Sequence, residues 1–278
     1  MLTSEDITLF QTDGAILIKN VLEKKWLDLL ARGIDRNKRS RGPWACDYTE
    51  PGDPGEFWDD YCNWQRFNEY KYVLFNSPLA SIAQRIMESE KVRLFHEHVL
   101  VKEAHTSEET PWHHDQPYYC VDGDQLVSTW VPLDPISKES AMKFLAGSHL
   151  GPMYAPKRFQ DHESYNYEGF ADLPEISESA SGHEVRSWEM NPGDILVFHM
   201  RTLHAAGGSA TRRRAFAARW LGDDAVYATR PGPTSPPFPG LEHDLSPGEP
   251  MCHELFPQIE TNISVSYTHL TLPTTPYV

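Results

Sequence analysis

The chain has 278 residues, which fits one large domain or two small ones, and 40% are apolar and 12% aromatic, enough to bury a sizeable core. A net charge of −15 argues against a nucleic-acid partner, because phosphate binding relies on clustered Lys and Arg. No apolar run approaches roughly 18 residues, so no membrane span is expected.

The start, MLTSEDITLFQTDG, has neither a basic segment nor a long apolar stretch and does not read as a secretory signal. Cys46, Cys62, Cys120 and Cys252 show no zinc-type spacing, so free thiols and a cytoplasmic location are expected. Arg212 to Arg214 form the one run of three consecutive basic residues.

TSEDITLFQTDG predicts a helix, with Ser or Thr as cap, acids in the first turn and Gly14 as stop. AILIKNV reads as a short strand. EKKWLDLLARGIDRNK carries Trp26, Leu29 and Leu30 at helical spacing, with Gly33 weakening its end. GPWACDYTEPGDPGEFWDDYCNW, residues 42–64, reads as a long aromatic and acidic loop, either a surface cover or a substrate lid. SPLASIAQRIMES predicts a helix capped by Ser77 with Pro78 at its first position.

Beyond residue 90 the pattern changes to short β-forming segments: KVRLFHEHVLVKE, QLVSTWVPLD, AMKFLAG, HEVRSWEM, GDILVFH and RAFAARWLG. They predict a mainly β protein, a sandwich or barrel with helices packed outside it. The expected organisation is one domain over 1–263: a helical part (1–90), a β core (91–222) and a Pro-rich arm (223–263). Residues 264–278 are expected to be a non-native tail. VSYTHLTLPTTPYV carries no charge and resembles the translated read-through of a sequencing adapter.

The chemistry concentrates in TPWHHDQPYY, Thr110 to Tyr119. On an extended strand, residues two apart share a face. His113 and Asp115 can then hold one ion while His114 points away. Pairing His114 with Gln116 would offer a neutral amide, a poor transition-metal ligand. The third ligand must come from GDILVFHMRTLHAAGG, which offers His199 and His204. Two histidines and one carboxylate leave coordination positions open, as in non-haem Fe(II) oxygenases, whereas structural zinc closes its shell with four ligands.

The segments LVKEAHTSEETPWHHDQPYY, STWVPLD, FLAGSH, PGDILVFHMRTLHAAGGS and RRRAFAARW together resemble the phytanoyl-CoA dioxygenase family of iron and 2-oxoglutarate oxygenases, from about Leu9 to Pro250. The resemblance implies a double-stranded β-helix (jelly-roll) core with N-terminal helices. It implies Fe(II) held by His113, Asp115 and His204, with His199 as a preceding non-ligand histidine. It also implies 2-oxoglutarate as cosubstrate and O₂ as co-reactant. The expected reaction is hydroxylation of an unactivated C–H in a small molecule, with release of succinate and CO₂. Asp115 fills the position a halide would need, which disfavours halogenation. Lys102 and Trp130 match positions that line the cofactor pocket, and His96 and His98, on the face of Lys102, are candidates for the substrate end.

The family grips the far carboxylate of 2-oxoglutarate with an arginine, whose planar fork makes two parallel charge-assisted bonds. Here the loop after the distal histidine is short, and Ser209 stands where asparagine is frequent. Arg213 and Arg214 are the candidates. Alternation places Arg213, Ala215, Ala217 and Arg219 on one face and Arg214, Phe216, Ala218 and Trp220 on the other. The small-residue face leaves room for a cofactor, so Arg213 is the expected anchor. The rival readings are a metal-dependent isomerase or hydrolase of cupin type and a non-catalytic binding protein on the same fold.

Overall fold

The structure, a computed structural model, describes residues 2–50, 52–157, 165, 168–176 and 184–261; the expected tail at 264–278 lies outside them. Helix α1 (Ser4–Asp13) opens with a capping box, in which Thr3 Oγ1 accepts from the Asp6 amide and the Asp6 carboxylate accepts from the Thr3 amide. Gly14 closes it at φ 78, a left-handed turn that leads into strand β1 (Ala15–Ile18).

Helix α2 (Lys24–Arg39) runs through Gly33 instead of fraying there. The Tyr70 ring lies against that glycine, and a methyl group would sit 2.4 Å from Tyr70 Cε1. The glycine therefore serves close packing of α2 on a second helix, α3 (Asn68–Asn76). Helix α4 (Leu79–Ile86) starts later than expected, with Pro78 as its cap.

The segment 42–64 corrects the loop expectation. It contains β2 (Cys46–Asp47) and β3 (Phe57–Tyr61), which pair with each other. There follow β4 (Arg93–Lys102), β5 (Thr110–His113), β6 (Val121–Asp122), β7 (Leu126–Pro132), β8 (Met142–Leu145) and β9 (Val185–Ser187). The chain continues through β10 (Ile195–His199), β11 (His204–Ala206), β12 (Arg213–Leu221), β13 (Val226–Tyr227) and a short helix α5 (Leu241–Asp244).

A seven-stranded sheet has the order β1-β10-β7-β12-β4-β3-β2, and a four-stranded sheet the order β5-β11-β8-β9. The mainly β jelly-roll expected from the sequence is therefore present, with strands from the N-terminal part extending both edges of the larger sheet.

Alternation along the strands sorts residues between two apolar layers. Phe216, Ala218 and Trp220 of β12 join Val99 and Val101 of β4 under Leu30, Ile34, Tyr70 and Val73 of the helices. Ala215 and Ala217 point the other way and pack with Trp130, Phe144 and Phe198 between the sheets. Arg213 and Arg219 share that inner face, so the sheet delivers two buried guanidinium groups to the molecule's interior. The C-terminal arm packs Phe238, Leu241 and Phe256 on Phe95 and Tyr119, and so covers one side of the space between the sheets. No described helix is long and apolar enough to cross a membrane.

Candidate metal centre

Antiparallel pairing of β5 with β11 sets His113 directly opposite His204, with ring centroids 4.2 Å apart. Asp115 enters by a different route from the one the sequence suggested. The strand stops at His113, and Asp115 is in the right-handed helical region (φ −70, ψ −42) at the head of a 3-10 turn. That turn swings the carboxylate back, so Asp115 Oδ1 lies 3.8 Å from Nε2 of both His113 and His204. One donor atom from each residue lies within 4.8 Å of the others; among the described residues no other group of this kind forms.

The outer atoms fix the inner ones. His113 Nδ1 lies 2.8 Å from the Pro111 carbonyl and His204 Nδ1 lies 2.9 Å from that of Thr202. A carbonyl only accepts, so each Nδ1 carries the proton and each Nε2 presents its lone pair to the common point. Burial drives the His113 pKa down to about 3 and lowers that of His204, which keeps both rings neutral. Burial alone would raise the Asp115 carboxyl, but the Arg219 guanidinium, helped by the Ser128 hydrogen bond, outweighs it and holds the group well below the usual carboxylate range. Two neutral imidazoles and one carboxylate, converging on one side of a point, fit a divalent transition metal with positions left for other ligands.

Asp115 Oδ2 points outward and accepts from Ser128 Oγ at 3.1 Å and from Arg219 at 3.2 Å. Arg219 was given no role in the sequence reading. The signal was present, since alternation put it on the face of Arg213.

His114 turns away. Its Nδ1 donates to the Arg201 carbonyl at 3.2 Å, and its Nε2 accepts from the Tyr154 amide at 3.0 Å. His199 is likewise engaged, between the Asp124 carbonyl and the Arg201 amide.

The triad opens into a cavity of about 120 Å³ whose wall includes Lys102, Trp130, Arg213, Ala215 and both His96 and His98. Arg213 stands opposite Lys102 across the β12–β4 ladder. Its guanidinium is buried, donates to the Ser140 carbonyl at 2.6 Å, and makes no ion pair among the described residues. Burial brings its pKa down to about 10. Lys102 donates to the carbonyls of Glu108 and Gly207, and burial with neighbouring Arg213 lowers it to about 7. Arg214 lies outside the cavity, where Nε and an NH₂ nitrogen grip Asp134 at 3.0 and 2.9 Å. A buried guanidinium beside a lysine, with no ion-pair partner among the described residues, fits a small anion in the cavity that the triad also lines.

Comparison with known proteins agrees with this geometry. The family model described as phytanoyl-CoA dioxygenase (PhyH) matches residues 10–215. The carbocyclase SnoK from nogalamycin biosynthesis, described as non-haem and α-ketoglutarate dependent, superposes with a TM-score of 0.72 at 21% identity, over 93% of this chain and 97% of its own. The epimerase SnoN, solved with Fe³⁺, α-ketoglutarate and nogalamycin RO, gives 0.71 at 21% identity, over 91% and 97%. EctD from S. alaskensis, solved with 2-oxoglutarate and 5-hydroxyectoine, gives 0.67 at 16% identity, over 90% and 85%. No curated protein sequence matches the chain. At these identities the solved structures establish a shared fold.

Proposed function

The chain belongs to the phytanoyl-CoA dioxygenase family of iron and 2-oxoglutarate oxygenases, and from that premise we propose that it is a dioxygenase that hydroxylates an unactivated C–H bond of a small molecule, consuming O₂ and releasing succinate and CO₂. The observation that carries the proposal is one cavity holding two sites of opposite chemistry. At one end, His113, Asp115 and His204 converge; at the other, Arg213 stands buried without an anionic partner among the described residues.

The residues divide the work. His113 and His204 offer Nε2, and Asp115 offers Oδ1, to Fe(II). Arg213 takes the far carboxylate of 2-oxoglutarate with its planar fork, and Lys102 adds positive charge beside it. Trp130 and Ala215 shape the wall between. Bound there, the iron and its cosubstrate supply the O₂ activation and the oxidising power that no side chain has. The chain positions the substrate C–H and excludes water, with Tyr118, Tyr119 and Phe198 closing the cavity around the triad.

The test is an anaerobic titration with Fe(II) and 2-oxoglutarate, followed by a substrate screen that reads succinate and product mass. The expected product gains one oxygen atom. The neighbours described as an epimerase and a carbocyclase show that the fold hosts other outcomes. An unchanged mass or the loss of two hydrogens would assign one of those reactions instead. Turnover without any 2-oxoglutarate requirement would favour the cupin-type isomerase or hydrolase.

A further inference from the structure

The turn that brings Asp115 to the two histidines belongs to neither of the two large sheets. After β5 ends at His113, the chain runs through the 3-10 turn Gln116–Tyr118 to the two-residue strand β6. This segment follows the ligand directly and carries two rings of the cavity wall, Tyr118 and Tyr119. The Tyr118 amide donates to the Asp115 carbonyl at 3.1 Å, so the ligand's backbone is part of the turn.

The C-terminal arm runs beside that segment and fastens to it at successive points. Tyr227 pairs with Val121 on the β13–β6 ladder. The Ala228 amide donates to the Cys120 carbonyl at 3.1 Å, and the Ser235 amide to the Tyr118 carbonyl at 2.8 Å. Arg230 adds a side-chain lock between them, and its side chain is only 6% exposed. One of its Nη nitrogens donates to the Val121 carbonyl and to Asp122 Oδ1, both at 2.7 Å. From inside the turn, Gln116 Nε2 donates to the same Asp122 oxygen at 3.2 Å. Gln116 is itself buried, with its amide on the Met200 carbonyl at 3.0 Å. A continuous path therefore runs from Arg230 through Asp122 and Gln116 to Asp115. Arg230 lies beyond residues 10–215, which the family model matches.

We propose that Arg230 is a positioning residue for the metal centre, holding the loop from Gln116 to Asp122 closed so that the turn keeps the Asp115 carboxylate on the two histidines. The proposal rests on the oxygenase reading above and assigns a further residue to its metal site. A ligand must be held within about 0.5 Å by groups that are themselves locked, and a single 3-10 turn has few bonds of its own. A guanidinium suits the task because its planar fork serves a carbonyl and a carboxylate together. The Asp122 side chain is 47% exposed, so releasing it from Arg230 strands no buried anion.

The test compares folded variants by two readouts: equilibrium Fe(II) titration under anaerobic conditions, and hydrogen exchange of the Tyr118 amide in the metal-free protein. Arg230→Met is expected to weaken Fe(II) binding about three- to tenfold, less than the 10–100-fold typical of groups that touch a ligand directly, and to speed exchange at Tyr118. Arg230→Lys should recover part of both. Gln116→Met cuts the same path while leaving Arg230 on Asp122 and the arm fastened, and should reproduce both effects. Arg93 supplies the control, since it also tethers the arm, donating to the Phe256 carbonyl at 3.2 Å away from the turn. Arg93→Met should leave both readouts at their wild-type values.

The proposal is overturned if folded Arg230→Met binds Fe(II) as wild type does, or if Arg93→Met loses as much affinity as Arg230→Met. Should Arg230→Met not fold, Gln116→Met decides, and wild-type iron affinity in that variant overturns the path. Any of these results alongside normal Fe(II) binding by wild type sinks this proposal alone. A wild-type protein that binds no Fe(II) sinks the oxygenase reading and this proposal with it.

Discussion

The Arg219 guanidinium donates to Oδ2 of Asp115 across 3.2 Å, and both side chains are buried. The contact leaves Oδ1 as the oxygen turned toward His113 and His204. Arg219 is thus a positioning residue that acts through the carboxylate. Removing partners of this kind typically lowers metal affinity about 10–100-fold. Arg219→Met should weaken Fe(II) binding on that order, and Arg219→Lys should recover part of it. The check is a metal titration at equilibrium on variants whose melting shows them folded. Unchanged iron affinity in Arg219→Met would reduce the contact to a packing feature.

The triad itself gives a sharper contrast. His113→Ala, Asp115→Ala and His204→Ala should each abolish substrate-coupled succinate formation. His114→Ala should retain substantial activity, because its ring is held by the Arg201 carbonyl and the Tyr154 amide away from the cavity. A His114 variant that loses iron while the His113 variant keeps it would invert the assignment.

Acid sensitivity should follow from histidines held neutral by burial. His199 and His114 are each pushed down to about 4. The unfolded chain then binds protons that the folded chain refuses as pH falls below the ordinary histidine value of about 6.5. Their contribution is fully present above that value and is lost as pH falls toward about 4. His199→Gln should therefore lose less stability than wild type between about pH 7 and pH 5, by on the order of 1–2 kcal/mol at roughly 1.4 kcal/mol per unit. Chemical denaturation of the metal-free proteins at the two pH values measures it. An identical loss in both proteins would show that His199 titrates normally.

The parts of this molecule that were legible in its sequence are those where one periodicity dominates. α1 announced itself through its cap and Gly14, and β12 through the strict alternation that turns Arg213 inward and Arg214 toward Asp134. β3 was hidden because Phe57 to Asp60 are buried on both faces, so no polar alternation marks it. Its second acid, Asp60, is buried against the Asn37 side chain at 2.7 Å and the Gly42 amide. Acids at such density read as a solvated loop until tertiary partners are known. α3 was missed for a related reason, since Tyr70, Val73 and Leu74 make barely two turns of stripe and Tyr72 is exposed. The right metal pair was found through a shared-face argument, although the turn at Asp115 and not an extended strand brings it about. The inward face of Arg219 was legible from alternation, but its partner Asp115 was not, because it lies 104 residues away in the chain.

The central claim is that one cavity holds iron at the triad and 2-oxoglutarate on Arg213. The measurement that meets it most directly is the dissociation constant for 2-oxoglutarate in the anaerobic Fe(II) protein, compared across wild type, Arg213→Ala and Arg214→Ala. A hydrogen bond to a charged group contributes about 1.5–3 kcal/mol, and about 1.4 kcal/mol is tenfold. Loss of a two-pronged grip should weaken binding by roughly a hundredfold in Arg213→Ala, with Arg213→Lys recovering part of it. Arg214→Ala, whose partner is Asp134 outside the cavity, should bind 2-oxoglutarate nearly as wild type does. A larger loss in Arg214→Ala than in Arg213→Ala, or no 2-oxoglutarate binding by wild type, would contradict the account.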